Sequence, residues 1–284
     1  MSDIDVRIAG LHVYPVKSCA GVALAESLLV ETGLEFDRLW MVVDARGRFV
    51  TQRELPRMAL IRPTLKAGDV MLRAPGMLAL HLAFDAVEKP CRVRVWKDEV
   101  AAYDMGDLAA QWFSDFLGQP VRLARFDPEQ RRLSNRKWTG DVEAENAFSD
   151  GYPILVTSTA GLDELNRRLV EAGHEAVTME RFRPNLVLDG LEANGEDHLD
   201  EIAFDTPQGS VRLKLVKPCS RCPIPDVNPL TAETGHAVSD VLAAYRADAR
   251  LDGAITFGMN AVIAEGMERV LRVGMAGAAT YRFD

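Results

Sequence analysis

Lys217-Pro218-Cys219-Ser220-Arg221-Cys222-Pro223 is the segment on which the reading of this chain turns. It follows the apolar run 211–216, which reads as a strand. Proline fixes φ and lacks an N–H donor, so the segment is expected to leave that strand as a rigid loop and not to continue it. The loop presents two thiols beside two cations. A thiolate is a soft metal ligand, and Lys217 and Arg221 favour the ionised form. Four chemistries are open at this point. One is a metal held by a single soft ligand. A structural zinc site needs two more ligands, which Cys19 and Cys91 are not spaced to give as a second Cys-x-x-Cys. A dithiol redox pair wants a helix start where Pro223 and Pro225 stand. The last is a pair of buried, inert cysteines.

Around this loop the chain reads as mixed and strand-dominated. Alternating or continuous apolar runs predict strands over 7–16, 39–43, 92–96, 100–103, 153–156, 185–188, 261–264 and 270–273. Asp44-Ala45-Arg46-Gly47 signals a hairpin between 39–43 and 48–52, and Lys97-Asp98-Glu99 a second turn. Asp107 is expected to cap a helix over 108–117, with Gly118 as its stop. Ser158 or Thr159 should cap another running to about residue 172, with Leu162, Leu165 and Leu169 on one face. Residues 238–246 read as a third helix, and the arginine-rich stretch 127–139 as a surface loop or linker. There is no internal repeat.

Hydrophobic residues make up 48% of the 284-residue chain and charged residues 26%, values that give a globular core and exclude disorder. The formal net charge of -9 argues against nucleic acid and anionic membranes as partners, while leaving room for one local basic pocket. No apolar run is long enough for a membrane span, and the acidic start Met1-Ser2-Asp3-Ile4-Asp5 does not read as a signal peptide, so a cytoplasmic location with reduced thiols is expected.

Four further segments look built for an anion. In Tyr14-Pro15-Val16-Lys17-Ser18-Cys19-Ala20-Gly21 a lysine and a hydroxyl stand together at a strand end. Asp37-Arg38 precedes an apolar strand. Arg183-Pro184-Asn185 brings a planar donor fork and an amide that can donate and accept. Thr157-Ser158 precedes a helix start, where hydroxyls and backbone N–H groups meet anions. Singly, each also reads as an ordinary turn, cap or ion pair.

Together, and in this order along the chain, 14–21, 37–40, 183–185 and 218–222 resemble the signature segments of the MOSC family, in the branch of the mitochondrial amidoxime-reducing component and its bacterial relatives. The resemblance spans about residues 6–275. It implies a MOSC N-terminal β-barrel-like domain over 1–100 and a MOSC β-barrel domain with peripheral helices over 101–284. It implies a molybdenum cofactor (molybdopterin) and no pyridoxal phosphate, with Cys222 as the metal ligand and Cys219 behind it. Lys17, Ser18, Arg38, Thr157, Ser158, Arg183 and Asn185 match cofactor-holding positions. Glu192 falls where relatives carry an acidic residue beside the metal, usually aspartate, and with Cys222 is the expected catalytic pair. Substrate should enter near Cys222, Asp226 and Asn228.

The activity implied is oxygen removal from N-hydroxylated compounds such as amidoximes, hydroxylamines and N-hydroxylated bases. No membrane anchor and no C-terminal four-cysteine ferredoxin-like segment is read, so electrons are expected from a separate protein: a ferredoxin, a flavodoxin, or a cytochrome b5-like protein with its reductase. A cofactor carrier or sulfur-transfer protein is the alternative, and a metal-free binding module a third reading.

Overall fold

The computed structural model describes residues 2–86 and 88–282. Strands dominate it, and seven of them close into a barrel. Around the barrel run Ile154–Ser158, Leu186–Asp189, Ile4–Val13, Ala276–Tyr281, Leu199–Thr206, Gly209–Ser220 and Ala254–Glu265, the last pairing back to the first. Every neighbouring pair is antiparallel except Ile154–Ser158 with Leu186–Asp189. A parallel pair needs a crossover, and the helix Thr159–Glu171 lies within that connection. Alternate residues of the strands fill the interior, among them Ile8, Leu11, Val156, Leu188, Phe204, Leu213 and Met259. Ile4–Val13 turns its other face toward solvent, as period-2 patterning requires, whereas Ile154–Ser158 is buried on both faces.

The chain enters the barrel with its first strand, leaves it, and returns. Between visits it builds a four-stranded sheet from Trp40–Val43, Arg122–Phe126, Asp98–Asp104 and Lys89–Val95, in that spatial order. The helix Gly106–Leu117 covers a second core with Trp112, Phe113 and Phe116 against Trp40, Met58 and Leu72. Residues 101–126 thus pack with the segment before them.

Several local expectations hold. Gly118 ends the helix Gly106–Leu117 in the left-handed conformation, and Ser158 caps Thr159–Glu171 by accepting from the Gly161 N–H at 3.1 Å. Others are corrected. Asp107 is not the cap of its helix: Asp104 Oδ1 takes the Gly106 N–H at 2.8 Å, and Asp107 pairs with Arg122. The second hairpin turns at Trp96-Lys97, one residue earlier than expected, with Val95 facing Asp98. Residues 48–52 form no strand, only single bridges from Arg48 and Phe49. Residues 127–139 run largely over the surface, as expected, but Arg132 is buried and joins Asp98 to the carbonyls of Ala147 and Ser149.

The largest correction concerns the opening segment. Lys217, Pro218, Cys219 and Ser220 remain in the strand Gly209–Ser220, whose pairing with Ala254–Glu265 slips between Leu215 and Lys217 and again between Pro218 and Ser220. Bulges let a strand keep a proline without losing a ladder bond it cannot make. The Asn260 amide fills the gap by donating to the Lys217 carbonyl at 3.2 Å. Among the described residues no helix is long and apolar enough to cross a membrane.

Candidate functional site

Where the barrel meets the four-stranded sheet there is a cleft of about 790 Å³, its open mouth included. Lys17, Arg38, Arg53, Arg183 and Arg221 line it, against one lining carboxylate, Asp150. Cys219 and Cys222 share the same wall. A chain of net charge -9 therefore gathers five cations at one concavity, which focuses a positive potential there.

Tyr14 organises the floor. Two guanidinium groups pack on its buried ring, Arg183 at 4.2 Å and Arg38 at 4.6 Å from its centroid. Its hydroxyl donates to the Pro184 carbonyl at 3.1 Å. Gly21 is required beside it, because a Cβ there would stand 2.6 Å from the ring. Asp37, almost fully buried, accepts from the Tyr14 N–H at 2.8 Å and from Arg38 at 2.5 Å. Burial works against the Arg38 charge, but Asp37 outweighs it and holds Arg38 above its ordinary pKa. Burial, and then the Arg38 charge, push Arg183 down to about 10, still charged at neutral pH.

Arg183 donates one nitrogen to the Cys19 carbonyl at 2.5 Å, while its Nη2 is buried without a partner. Arg221 repeats the pattern. It donates to Cys219 Sγ at 3.1 Å and to the Phe182 carbonyl at 2.9 Å, and its Nε is buried and unpartnered. Two orphaned guanidinium nitrogens at one cleft call for an acceptor, since an unmade hydrogen bond to a buried donor is costly. Ser18, Arg38 and Arg183 all hold left-handed φ angles, between 51° and 65°. Strain of this kind persists where the surroundings over-determine it, and it clusters at binding sites.

Lys17 is buried and already engaged, donating to the Phe148 carbonyl at 2.7 Å and to Asp150 at 2.6 Å. Burial lowers its pKa and Asp150 opposes that. Desolvation would raise Asp150, but Lys17 and the Trp96 indole prevail and hold its exposed carboxylate below the usual range. Asn185 also lines the cleft, with its amide turned to the protein. Its Oδ1 accepts from Arg38 at 3.2 Å and from the Leu155 N–H at 3.1 Å, and its Nδ2 donates to the His12 carbonyl at 3.2 Å.

Residues 5–120 match the model of the MOSC N-terminal beta barrel domain, and residues 143–276 match that of the MOSC domain. The chain belongs to the MOSC family. It is 34% identical to human mitochondrial amidoxime reducing component 2 over 249 residues, covering 84% of this chain and 72% of that one. With the rat protein of the same name it shares 35% identity over 235 residues, 79% of this chain and 67% of that one. It is 28% identical to human molybdenum cofactor sulfurase over 269 residues, 89% of this chain and 29% of that much longer one.

Seven of the residues singled out from the MOSC resemblance meet at this cleft: Lys17, Ser18, Arg38, Arg183, Asn185, Cys219 and Cys222. Others do not. Thr157 and Ser158 are fully buried away from it, Thr157 facing Met179 Sδ at 3.3 Å and Ser158 serving its helix cap. Glu192 is exposed in the loop after Leu186–Asp189, which Gly190 and Asn194 turn back through left-handed φ, and does not line the cleft. Asp226 caps the helix Ala237–Ala243 by accepting from the Val238 and Ser239 N–H groups, and Asn228 closes its own turn onto Leu230. Lys217 points to the Trp138 and Tyr152 rings. The sequence reading missed Asp150, Arg53 and Trp96; the Ser149-Asp150-Gly151 turn signal ahead of a strand was the one local clue.

The buried acid of the 190–198 loop is Glu196. Its Oε2 accepts from Ser158 at 2.6 Å, while its Oε1 and the nearby Asn194 Oδ1 have no partner. Desolvation pushes its pKa up to about 6. Because that folded value exceeds the ordinary 4.5 of a glutamate, the protonated acid favours the native state. Its contribution is present below about pH 4.5 and is lost as pH rises through about 6. Glu196→Gln keeps a donor there at every pH. The variant is expected to be about 1–2 kcal/mol more stable than the parent at pH 7.5 and indistinguishable at pH 4.5. Urea melts at the two pH values check this, and a less stable variant at pH 7.5 refutes it.

Proposed function

We propose that this protein holds a molybdenum cofactor in the cationic cleft, with Cys222 as the protein ligand, and reduces N-hydroxylated compounds there. The observation that carries the reading is one wall bearing a thiol and two guanidinium groups with buried, partnerless nitrogens. Among the described residues no group of three or more His, Cys, Asp or Glu side chains is placed to hold a metal ion. A metal at Cys222 must therefore bring its remaining ligands, as a dithiolene-bearing pterin does, and its phosphate suits the orphaned donors of Arg183 and Arg221. The donor set fits the group.

When bound, the cofactor supplies the two-electron chemistry that removes oxygen from an N–O group. The chain's own residues bind and orient. Arg183 and Arg221 offer their free nitrogens, Ser18 its hydroxyl, and Lys17 the N–H left over from Phe148 and Asp150. Asp37 keeps Arg38 charged and in place. Asp150 is held ionised, so it positions Lys17 and does not deliver a proton. Electrons come from a separate donor of the ferredoxin, flavodoxin or cytochrome b5 kind, in the cytoplasm.

The test is turnover. Protein from a cofactor-competent host, reduced by an artificial viologen donor, should convert benzamidoxime to benzamidine. Molybdenum-loaded protein with no turnover would move the reading to a cofactor carrier or sulfur-transfer protein. The similarity to human molybdenum cofactor sulfurase across 89% of this chain favours that second reading over a metal-free module.

A further inference from the structure

Trp96 stands at the rim of the cleft with 48% of its surface exposed. It is the first residue of the two-residue loop joining Lys89–Val95 to Asp98–Asp104. Its φ is +54°, and Lys97 is not among the residues of positive φ. That is the pattern of a type II′ hairpin, whose first position belongs to glycine. A bulky side chain in this conformation is an outlier, and at a cleft it points to use of the side chain. Burial does not account for it, because half of the residue remains in water.

The indole is nonetheless fixed. Its Nε1 donates to Asp150 Oδ1 at 3.1 Å. Phe49 meets it edge-on at 5.0 Å between centroids, and the Arg53 guanidinium lies 4.9 Å from its centroid. Arg53 is itself held, donating Nε to Thr51 Oγ1 at 3.0 Å. Asp150 is anchored by Lys17. Trp96, Arg53 and Asp150 line the same cleft as Cys222. An exposed ring immobilised before any ligand arrives loses little on binding, which is how rigid aromatic side chains serve as recognition surfaces.

We propose that Trp96, backed by Arg53 and Phe49, is a stacking shelf at the entrance that selects flat, π-conjugated N-hydroxylated substrates, aryl amidoximes and N-hydroxylated heterocycles, over small aliphatic ones. The proposal rests on the reductase reading for its substrate, but the shelf itself is tested by binding as well as by turnover.

Two variants separate the ring from the backbone. Trp96→Gly removes the ring and suits the left-handed φ, so the hairpin keeps its fold. Trp96→Phe keeps a flat ring. The preference for benzamidoxime over hydroxylamine, as a ratio of kcat/KM values, should fall roughly 10- to 100-fold in Trp96→Gly and only a few-fold in Trp96→Phe. Calorimetric titration with benzamidoxime should show the same order of affinities at equal molybdenum content. An unchanged ratio, or loss of molybdenum in Trp96→Gly, overturns the shelf. Trp96-dependent binding without turnover by the parent protein supports the shelf and removes the reductase. Neither binding nor turnover by the parent protein overturns both.

Discussion

Cys222→Ser should purify as a folded protein with at least ten-fold less molybdenum per chain than the parent. A serine hydroxyl stays protonated near neutral pH and is a hard donor, so it replaces neither the charge nor the softness of a thiolate. Among the described residues no group of three or more His, Cys, Asp or Glu side chains is placed to take the metal over, and the other cleft thiol, Cys219, already accepts from Arg221. Cys222 is only half-buried, so the substitution should change stability by less than about 0.5 kcal/mol. Cys219→Ser is the control. Its sulfur accepts from Arg221, a role a serine oxygen can take over, and that variant should keep most of its metal. Elemental analysis of both variants from a cofactor-competent host decides the matter. Near-parental molybdenum in Cys222→Ser would place the ligand elsewhere.

Asp37→Ala should be the most destabilising single change in the cleft, by roughly 3–5 kcal/mol, because it leaves a buried charge without its counter-ion. The side chains of Asp37 and Arg38 are 1% and 12% exposed. Losing the carboxylate strands the Tyr14 N–H and leaves Arg38 and Arg183 packed on one tyrosine ring without a counter-ion. An anionic ligand restores part of that counter-charge. The loss measured by chemical denaturation should therefore be larger in cofactor-free protein than in loaded protein. Equal losses in the two forms would mean that the cleft does not hold its anion against Arg38.

The tyrosine-to-glycine segment 14–21 was legible because nearly every residue in it has one job. The ring needs Gly21, Lys17 reaches Asp150, and Cys19 offers its carbonyl to Arg183. Five of the seven barrel strands were legible from their apolar runs, while Leu199–Thr206 and Ala276–Tyr281 were not read. What failed did so for physical reasons too. Pro218 looked like a strand end, but bulges and the Asn260 amide carry the strand through it. Thr157-Ser158 looked like an anion grip, and Ser158 serves a cap and a buried glutamate instead. Glu192 was placed by resemblance alone, and the fold of its loop keeps it out of the cleft. Trp96 was missed because it read as the end of the strand 92–96, and only the structure shows it at the hairpin tip, facing the cleft.

The barrel contains one demand on the order of events in the cell. Ile4 pairs with Ala279, so its strand waits for a neighbour made far later in the chain. Contacts this distant in sequence form slowly and late. The Tyr14 and Lys17 segment hangs from that early strand, while Arg221 and Cys222 follow one made much later. Both walls of the cleft are present only once Asn260 has been made, so a shorter nascent fragment lacks part of the lining.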